Sequence, residues 1–134
     1  MKAHFYKEEQ DYPFFEDWCD DYGIVARHPS QLPPLGLVMN YQGKPAAMLF
    51  AYQSAGCGVA FVECFICRKD LSPIMKFRMS VLLLKLITDR LEKDDYGMIR
   101  SCIVDPRMAR IAARKCGFIE VESATMMERS TEWQ

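Results

Sequence analysis

One carboxylate stands out as a residue that could do chemistry. Glu63 lies inside the apolar run Val59-Ala60-Phe61-Val62-Glu63-Cys64-Phe65-Ile66-Cys67, which reads as a buried strand. A carboxylate taken out of water is costly unless paired, and burial moves it toward the behaviour of a general base. The plainer account is a strand face that meets solvent, or an arginine partner. Just downstream, Arg68, Lys69, Lys76 and Arg78 crowd the start of a long apolar-periodic segment, with Asp70 alone to offset them. A helix N-terminus carries partial positive charge, so stacked cations cost it roughly a few tenths of a kcal/mol each at an exposed site. Free backbone N–H groups together with such cations suit a bound anion, phosphate above all. The competing account is a solvated basic cluster with no ligand.

Other chemistries find less support. Cys64 and Cys67 have metal-site spacing, but three steps along a strand put the two thiols on opposite faces, and no second CxxC or paired histidine follows. A cysteine nucleophile needs a nearby histidine, and the two histidines, His4 and His28, lie far away in sequence. The chain has neither GxxxxGK[ST] nor GxGxxG, so the common nucleotide loops are missing. Tyr41, Phe50 and Tyr52 read as core or sheet-face packing rather than as a base-stacking platform.

These residues must be held by an α/β framework. Residues 2–7 read as a short edge strand. Asp11 is the expected cap of a first helix, with Pro13 in its first turn, a buried stripe of Tyr12, Phe15, Trp18, Cys19 and Tyr22, and Gly23 as its stop. Residues 28–34 carry three prolines and form a loop. Strands are expected at 35–41, 46–53 and 57–67, with turns at Gln42-Gly43 and Ser54-Ala55-Gly56, giving three antiparallel strands. Ser72 caps the long helix and Pro73 takes its first position, where a missing N–H is harmless. That helix is apolar on most sides, which predicts cover on more than one side. A strand over 98–104 returns parallel to the third strand, making the sheet mixed. Asp105-Pro106 opens a shorter helix with Arg107, Arg110 and Arg114 on one line, and Gly117 stops it. Strands over 118–121 and 125–129 and a frayed tail over 131–134 complete the expectation.

The bulk properties agree with a folded single domain over 1–134. Half the residues are hydrophobic, about a quarter are charged, and the formal net charge is −1. That charge gives no global pull toward nucleic acid or an anionic membrane. Residues 1–8 lack the apolar core of a secretory leader, and the apolar run at 81–87 is too short to span a bilayer. Six cysteines within an ordinary core read as reduced, buried thiols of a cytoplasmic protein.

The order of these elements, and the segment Asp105-Pro106-Arg107-Met108-Ala109-Arg110-Ile111-Ala112-Ala113-Arg114-Lys115-Cys116-Gly117-Phe118, resemble the GCN5-related N-acetyltransferase (GNAT) superfamily. Its members carry Asn-x-x-Ala-x-x-x-Tyr-x-Lys-x-Gly-Phe there. Ala109, Lys115, Gly117 and Phe118 match, while Pro106 replaces the Asn and Ala113 the Tyr. The resemblance implies a mixed, mostly antiparallel sheet of six or seven strands with helices on both faces and one strand–helix–strand crossover. It implies acetyl-CoA, or another acyl-CoA, in the split between the fourth and fifth strands, with its pyrophosphate at the start of the following helix. Main-chain groups of Phe65, Ile66 and Cys67 would hold the pantetheine arm, and Glu63 would be the base. The family's pyrophosphate loop is glycine-rich, yet no glycine occurs between Cys67 and Leu84. Arg78 and Ser80 stand at the glycine positions, with Met79 between them. Lys76 and Arg78 would then supply charge in place of close backbone approach. Such a glycine-poor version also resembles GNAT-like proteins of some tailed phages.

Two functions follow. One is acyl-CoA-dependent N-acyltransfer to a small-molecule or protein amine by direct attack. The other is a GNAT-shaped structural or interaction protein without turnover, bound to a protein partner. A homodimer is compatible with either; a membrane is not expected, and nucleic acid is disfavoured by the net charge.

Overall fold

The computed structural model describes residues 1–103, 105–121, 127 and 129. The chain divides into two compact units, Met1–Ser101 and Cys102–Gln134. The first holds strands β1 (Lys2–Phe5), β2 (Leu35–Tyr41), β3 (Lys44–Gln53), β4 (Val59–Cys67) and β5 (Met98–Arg100), with helices α1 (Glu8–Asp21) and α2 (Pro73–Lys93). The strands form one sheet in the order β1-β2-β3-β4-β5. The first four are antiparallel to their neighbours, and β5 runs parallel to β4 after the α2 crossover. Five strands are present among the described residues, fewer than the six or seven expected. Residues 118–121 are not a strand, β5 stops at Arg100 rather than 104, and the expected strand at 125–129 and tail at 131–134 lie largely or wholly outside the described residues.

Strand alternation sorts the core into two layers. Val38, Met48, Phe50 and Ile66 point to one face, where Phe15, Trp18 and Cys19 of α1 cover them. Leu37, Met39, Ala47, Leu49 and Ala51 are also buried and alternate with that set, so they face the side on which α2 packs. The α2 side is built on Met79, Leu83, Ile87 and Leu91, all fully buried. The second apolar side of α2 is not covered as expected: Ile74 is 71% exposed, and Leu82 and Leu86 are exposed too. Gly36 on β2 is where the Phe50 ring and Tyr6 press against the backbone. A Cβ there would sit 2.7 Å from Phe50 Cδ1 and 2.9 Å from Tyr6 Cβ.

The start of α1 differs from the sequence expectation. The helix begins at Glu8, with Lys7 as a cap residue that offers no side-chain bond. Asp11 is therefore inside the helix, and it is fully buried. Its carboxylate accepts the Lys7 backbone N–H at 2.9 Å and meets His4 Nε2 at 3.2 Å from each oxygen. The capping logic survives in altered form: a first-turn acid still reaches back to an orphan N–H. Asn40 on β2 hydrogen-bonds His4 Nδ1 at 2.7 Å, so the network ties β1, α1 and β2 together.

The second unit is described through α3 (Pro106–Cys116). Asp105 accepts the Arg107 N–H at 2.9 Å, and that bond holds its carboxyl below the usual range. Gly117 adopts φ 74°, and Phe118 N–H returns to the Ala112 carbonyl, closing the helix as expected. Arg107, Arg110 and Arg114 are exposed.

Candidate active site

β4 positions the candidate chemistry, and it does so through an irregularity. Phe50 pairs with Glu63 and Met48 with Ile66, so one residue of β3 faces two of β4. Cys64 absorbs the extra residue with φ 62°, a left-handed conformation uncommon outside glycine. The bulge keeps Glu63 and Ile66 on the α1 face, while Cys67 pairs with Ala47 on the α2 face. Cys64 packs against the α1 cluster. None of the six cysteines is in a disulfide, but only Cys19 and Cys67 are buried; Cys57 and Cys102 are exposed, correcting the expectation of buried thiols.

β5 accompanies β4 only along Val59–Phe61. Beyond that, Ser101 Oγ donates to the Val62 carbonyl at 2.9 Å. Within this unit no strand pairs with the outer edge of β4 from Glu63 to Cys67. That edge presents main-chain donors and acceptors that an extended ligand can use as a strand would.

Glu63 follows the plainer of the two sequence accounts, a strand face that meets solvent with an arginine beside it. Its side chain is 29% exposed, and Oε2 lies 3.8 Å from Nη2 of Arg27, whose side chain is 35% exposed. Arg27 comes from the loop after α1 and is firmly held. Its Nη1 donates to Tyr52 Oη at 2.7 Å, and Tyr52 in turn donates to the Gln31 carbonyl at 2.9 Å. Tyr12 donates to the Arg27 carbonyl at 2.8 Å. Burial is the largest cause pushing the Tyr52 hydroxyl up to about 12, so it stays a neutral donor across ordinary pH. Phe61, across from Tyr52 in the register and two residues before Glu63, is an exposed ring on the same face.

The start of α2 has the cap and the first-turn proline expected from the sequence. Ser72 Oγ accepts the Met75 N–H at 3.2 Å, Pro73 sits in the first turn, and no acidic residue occupies that turn. The same cap reduces the free amides. Pro73 has none, Met75 gives its N–H to the Ser72 side chain, and Lys76 gives its own to the Ser72 carbonyl. An anion here would therefore be held mainly by side chains. Lys76 and Lys69 place their Nζ atoms 5.7 and 5.8 Å from the Tyr22 ring centroid. Lys69 also donates to the Asp21 carbonyl at 3.0 Å, and Arg68 pairs with Asp70. The Tyr22 hydroxyl lies 3.6 Å from Cys67 Sγ, and burial, then that contact, pushes it up to about 12. Burial raises the Cys67 thiol as well, which disfavours a thiolate nucleophile. Arg78 is exposed on the helix, whereas Met79 and Ser80 turn toward the core at 0% and 5% exposure, with Ser80 Oγ donating to the Phe77 carbonyl. Phe65 is exposed at the bulge, and Ile66 and Cys67 are buried through their side chains, leaving the main chain as their contribution. Glu63, Phe65, Ile66 and Cys67 thus share one strand edge, and Lys76 reaches it through Tyr22 and Cys67.

Sequence reasoning did not find Arg27, Tyr52 or Gln31 as neighbours of Glu63. The one available signal was Tyr52 in phase with Phe50 on a strand whose turn brings it opposite Phe61.

The sequence matches no family profile and no curated protein. Solved structures do match. An aminoglycoside acetyltransferase from an uncultured soil metagenomic sample, complexed with sisomicin, superposes with TM-score 0.68 at 11% identity, covering 97% of this chain and 96% of its own. The chain has the GNAT fold. Glucosamine-6-phosphate N-acetyltransferase from Arabidopsis thaliana gives 0.64 at 10% identity, with 98% of each chain covered. An aminoglycoside N-acetyltransferase solved with CoA gives 0.61 at 14% identity, covering 96% of this chain and 99% of its own. The GNAT arrangement is what the mixed sheet, the parallel β4–β5 pair and the α2 crossover had implied. No helix among the described residues is long and apolar enough to cross a membrane.

Proposed function

We propose that the chain is an acyl-CoA-dependent N-acyltransferase acting on an amine by direct attack. The observation that carries this reading is the outer edge of β4, along which β5 pairs only from Val59 to Phe61, with the cation-rich start of α2 next to its far end. The residues fit an acyl-CoA in a particular way. The main chain of Phe65, Ile66 and Cys67 would hold the pantetheine arm by strand-like hydrogen bonds, and Lys76 and Arg78 would meet the phosphates. Lys69 adds charge beside Lys76 on the Tyr22 ring. Side-chain cations replace the glycine loop because the Ser72 cap and Pro73 leave few amides for the anion. When bound, acetyl-CoA supplies an acetyl thioester whose carbonyl carbon an amine can attack, with a C–N bond formed, the C–S bond broken and the thiol released. Glu63 would take the proton that the acceptor's ammonium must lose before its nitrogen can attack, and the second proton shed as the amide forms is the one that the departing thiolate gains. The partial exposure of Glu63 lets it pass the first proton on to water. Proximity supplies much of the remaining acceleration, so the lack of a tyrosine at Ala113 is tolerable. Related solved structures that are acetyltransferases, one of them with CoA, support the reading.

The test is calorimetric titration with acetyl-CoA of the wild-type protein and of the Lys76→Ala/Arg78→Ala double variant. Micromolar binding weakened about tenfold or more, a loss of about 1.4 kcal/mol, supports the reading. No heat and no thermal shift up to millimolar acetyl-CoA overturns it. The second reading, a GNAT-shaped interaction protein without turnover, is favoured by the same Ser72 cap that removes amides from the helix start. It predicts a protein partner retained by a Glu63→Gln variant.

A further inference from the structure

We infer that Tyr22 is a positioning residue for the cofactor, its ring gathering Lys69 and Lys76 into a two-cation clamp for a diphosphate group. This rests on the acyl-CoA reading and deepens the phosphate end of that same site. Tyr22 ends α1, and its ring is partly buried against the core cluster under that helix. Its hydroxyl meets Cys67 Sγ, at the end of β4, 3.6 Å away, which fixes the ring between α1 and the start of α2. Lys69 from the loop after β4 and Lys76 from α2 bring their Nζ atoms 5.8 and 5.7 Å from the ring centroid. The ring attracts each ammonium group, and so holds the two near one another against their mutual repulsion. A polyphosphate bridging them relieves that repulsion.

The ring also decides which cations act together. Lys76 and Arg78 are two residues apart on α2, about 200° around the helix, so they leave it in nearly opposite directions. Lys69 shares the Tyr22 ring with Lys76 and is its mate for the diphosphate, which leaves Arg78 for a separate phosphate of the same ligand. Lys69 is ordered from α1 as well. Its Nζ donates to the Asp21 carbonyl at 3.0 Å, at a helix end with no basic residue of its own in the last turn. An ammonium group has three donors, so two remain for an anion. Asp21 and Asp70 also act on Tyr22, but Arg68 engages Asp70 at 3.2 Å. Lysines already held on a ring lose less freedom on meeting the anion than lysines in open solvent. The clamp thus stands in for the close backbone approach that glycines would give, none of which occurs between Cys67 and Leu84.

The experiment titrates the full chain calorimetrically with inorganic pyrophosphate and with acetyl-CoA, as wild type, Tyr22→Phe, Tyr22→Leu and Lys69→Gln. Tyr22→Leu should weaken both ligands about tenfold, while Tyr22→Phe, which keeps the ring, should stay within about twofold of wild type. Lys69→Gln changes an exposed side chain and keeps a donor for the Asp21 carbonyl, so it tests the clamp even where Tyr22→Leu loosens the fold. It too should weaken both ligands about tenfold. NMR of the ligand-free protein should show the side-chain methylene protons of Lys69 and Lys76 shifted upfield by the ring, in Tyr22→Phe as in wild type, and not in Tyr22→Leu. Unshifted methylenes, unchanged affinities in Lys69→Gln, or equal losses in Tyr22→Phe and Tyr22→Leu overturn the inference. Acetyl-CoA binding that ignores Tyr22→Leu and Lys69→Gln removes the clamp and leaves the acyl-CoA reading intact. Pyrophosphate binding that depends on both residues, without acetyl-CoA binding, removes the acyl-CoA reading and keeps the clamp. Failure of both ligands removes both.

Discussion

Replacing Asp11 by alanine should cost the fold about 3 kcal/mol. The carboxylate is fully buried, accepts the Lys7 N–H at 2.9 Å, and contacts His4 Nε2 through both oxygens. Hydrogen bonds to a charged group contribute about 1.5–3 kcal/mol each, and removal leaves the Lys7 N–H and His4 without their partner. A favourable interaction with the α1 dipole, about 0.3–1 kcal/mol, is lost with them. Against this stands the desolvation of a buried carboxylate, which keeps the net value near the low end of the sum. Urea unfolding followed by circular dichroism reads the loss directly. With a slope of roughly 2 kcal/mol/M, the midpoint should fall by about 1.5 M. Asp11→Asn, which can still accept from Lys7, should lose about half as much. In a cycle with His4→Ala, the two changes should couple by about 1 kcal/mol. A loss under about 1 kcal/mol for Asp11→Ala, or strict additivity with His4→Ala, would refute the view that this buried network locks α1 onto β1 and β2.

Gly36→Ala should cost about 2 kcal/mol in the same assay, because its Cβ would press on the buried Phe50 ring and the Tyr6 Cβ, neither of which has room to yield. Tyr6, Tyr22 and Tyr52 are each pushed from 10 to about 12, burial being the first cause in every case. Their contribution to stability is therefore full below pH 10, declines as pH rises from 10 to about 12, and is gone above that. Alkaline titration of stability should fall steeply across that window, and Phe at any one of the three positions should flatten it. Ser72→Ala should destabilise by about 1 kcal/mol through loss of the α2 cap. It should also free the Met75 N–H, so acetyl-CoA affinity should hold or improve despite the lower stability, which calorimetry and urea unfolding together can separate.

Local signals made most of the framework legible. The turn at Gln42-Gly43, the Ser72-Pro73 start of α2 and the Asp105-Pro106 and Gly117 ends of α3 act within a few residues, and each was found where the sequence put it. Asp11 misled because its type suits a cap, while its burial is set by His4, a β1 residue that only the tertiary fold brings near. The bulge at Cys64 had no glycine to announce it; the register against β3 imposes the left-handed backbone there. Glu63 could be singled out from its apolar neighbours. Its partner Arg27 could not, since that pairing depends on the path of a proline-rich loop over the sheet face. The placing of Arg78 and Ser80 at family glycine positions followed alignment alone, whereas the helical period of α2 turns Ser80, like Met79 beside it, into the core.

The central claim is that the outer edge of β4, beyond its short pairing with β5, receives an acyl-CoA. Amide hydrogen exchange of the full chain, with and without acetyl-CoA, tests it most directly. The account predicts slowed exchange confined to residues 63–67 and the first turn of α2, with β1 and β2 unchanged. Unchanged exchange along 63–67 at saturating acetyl-CoA would contradict it.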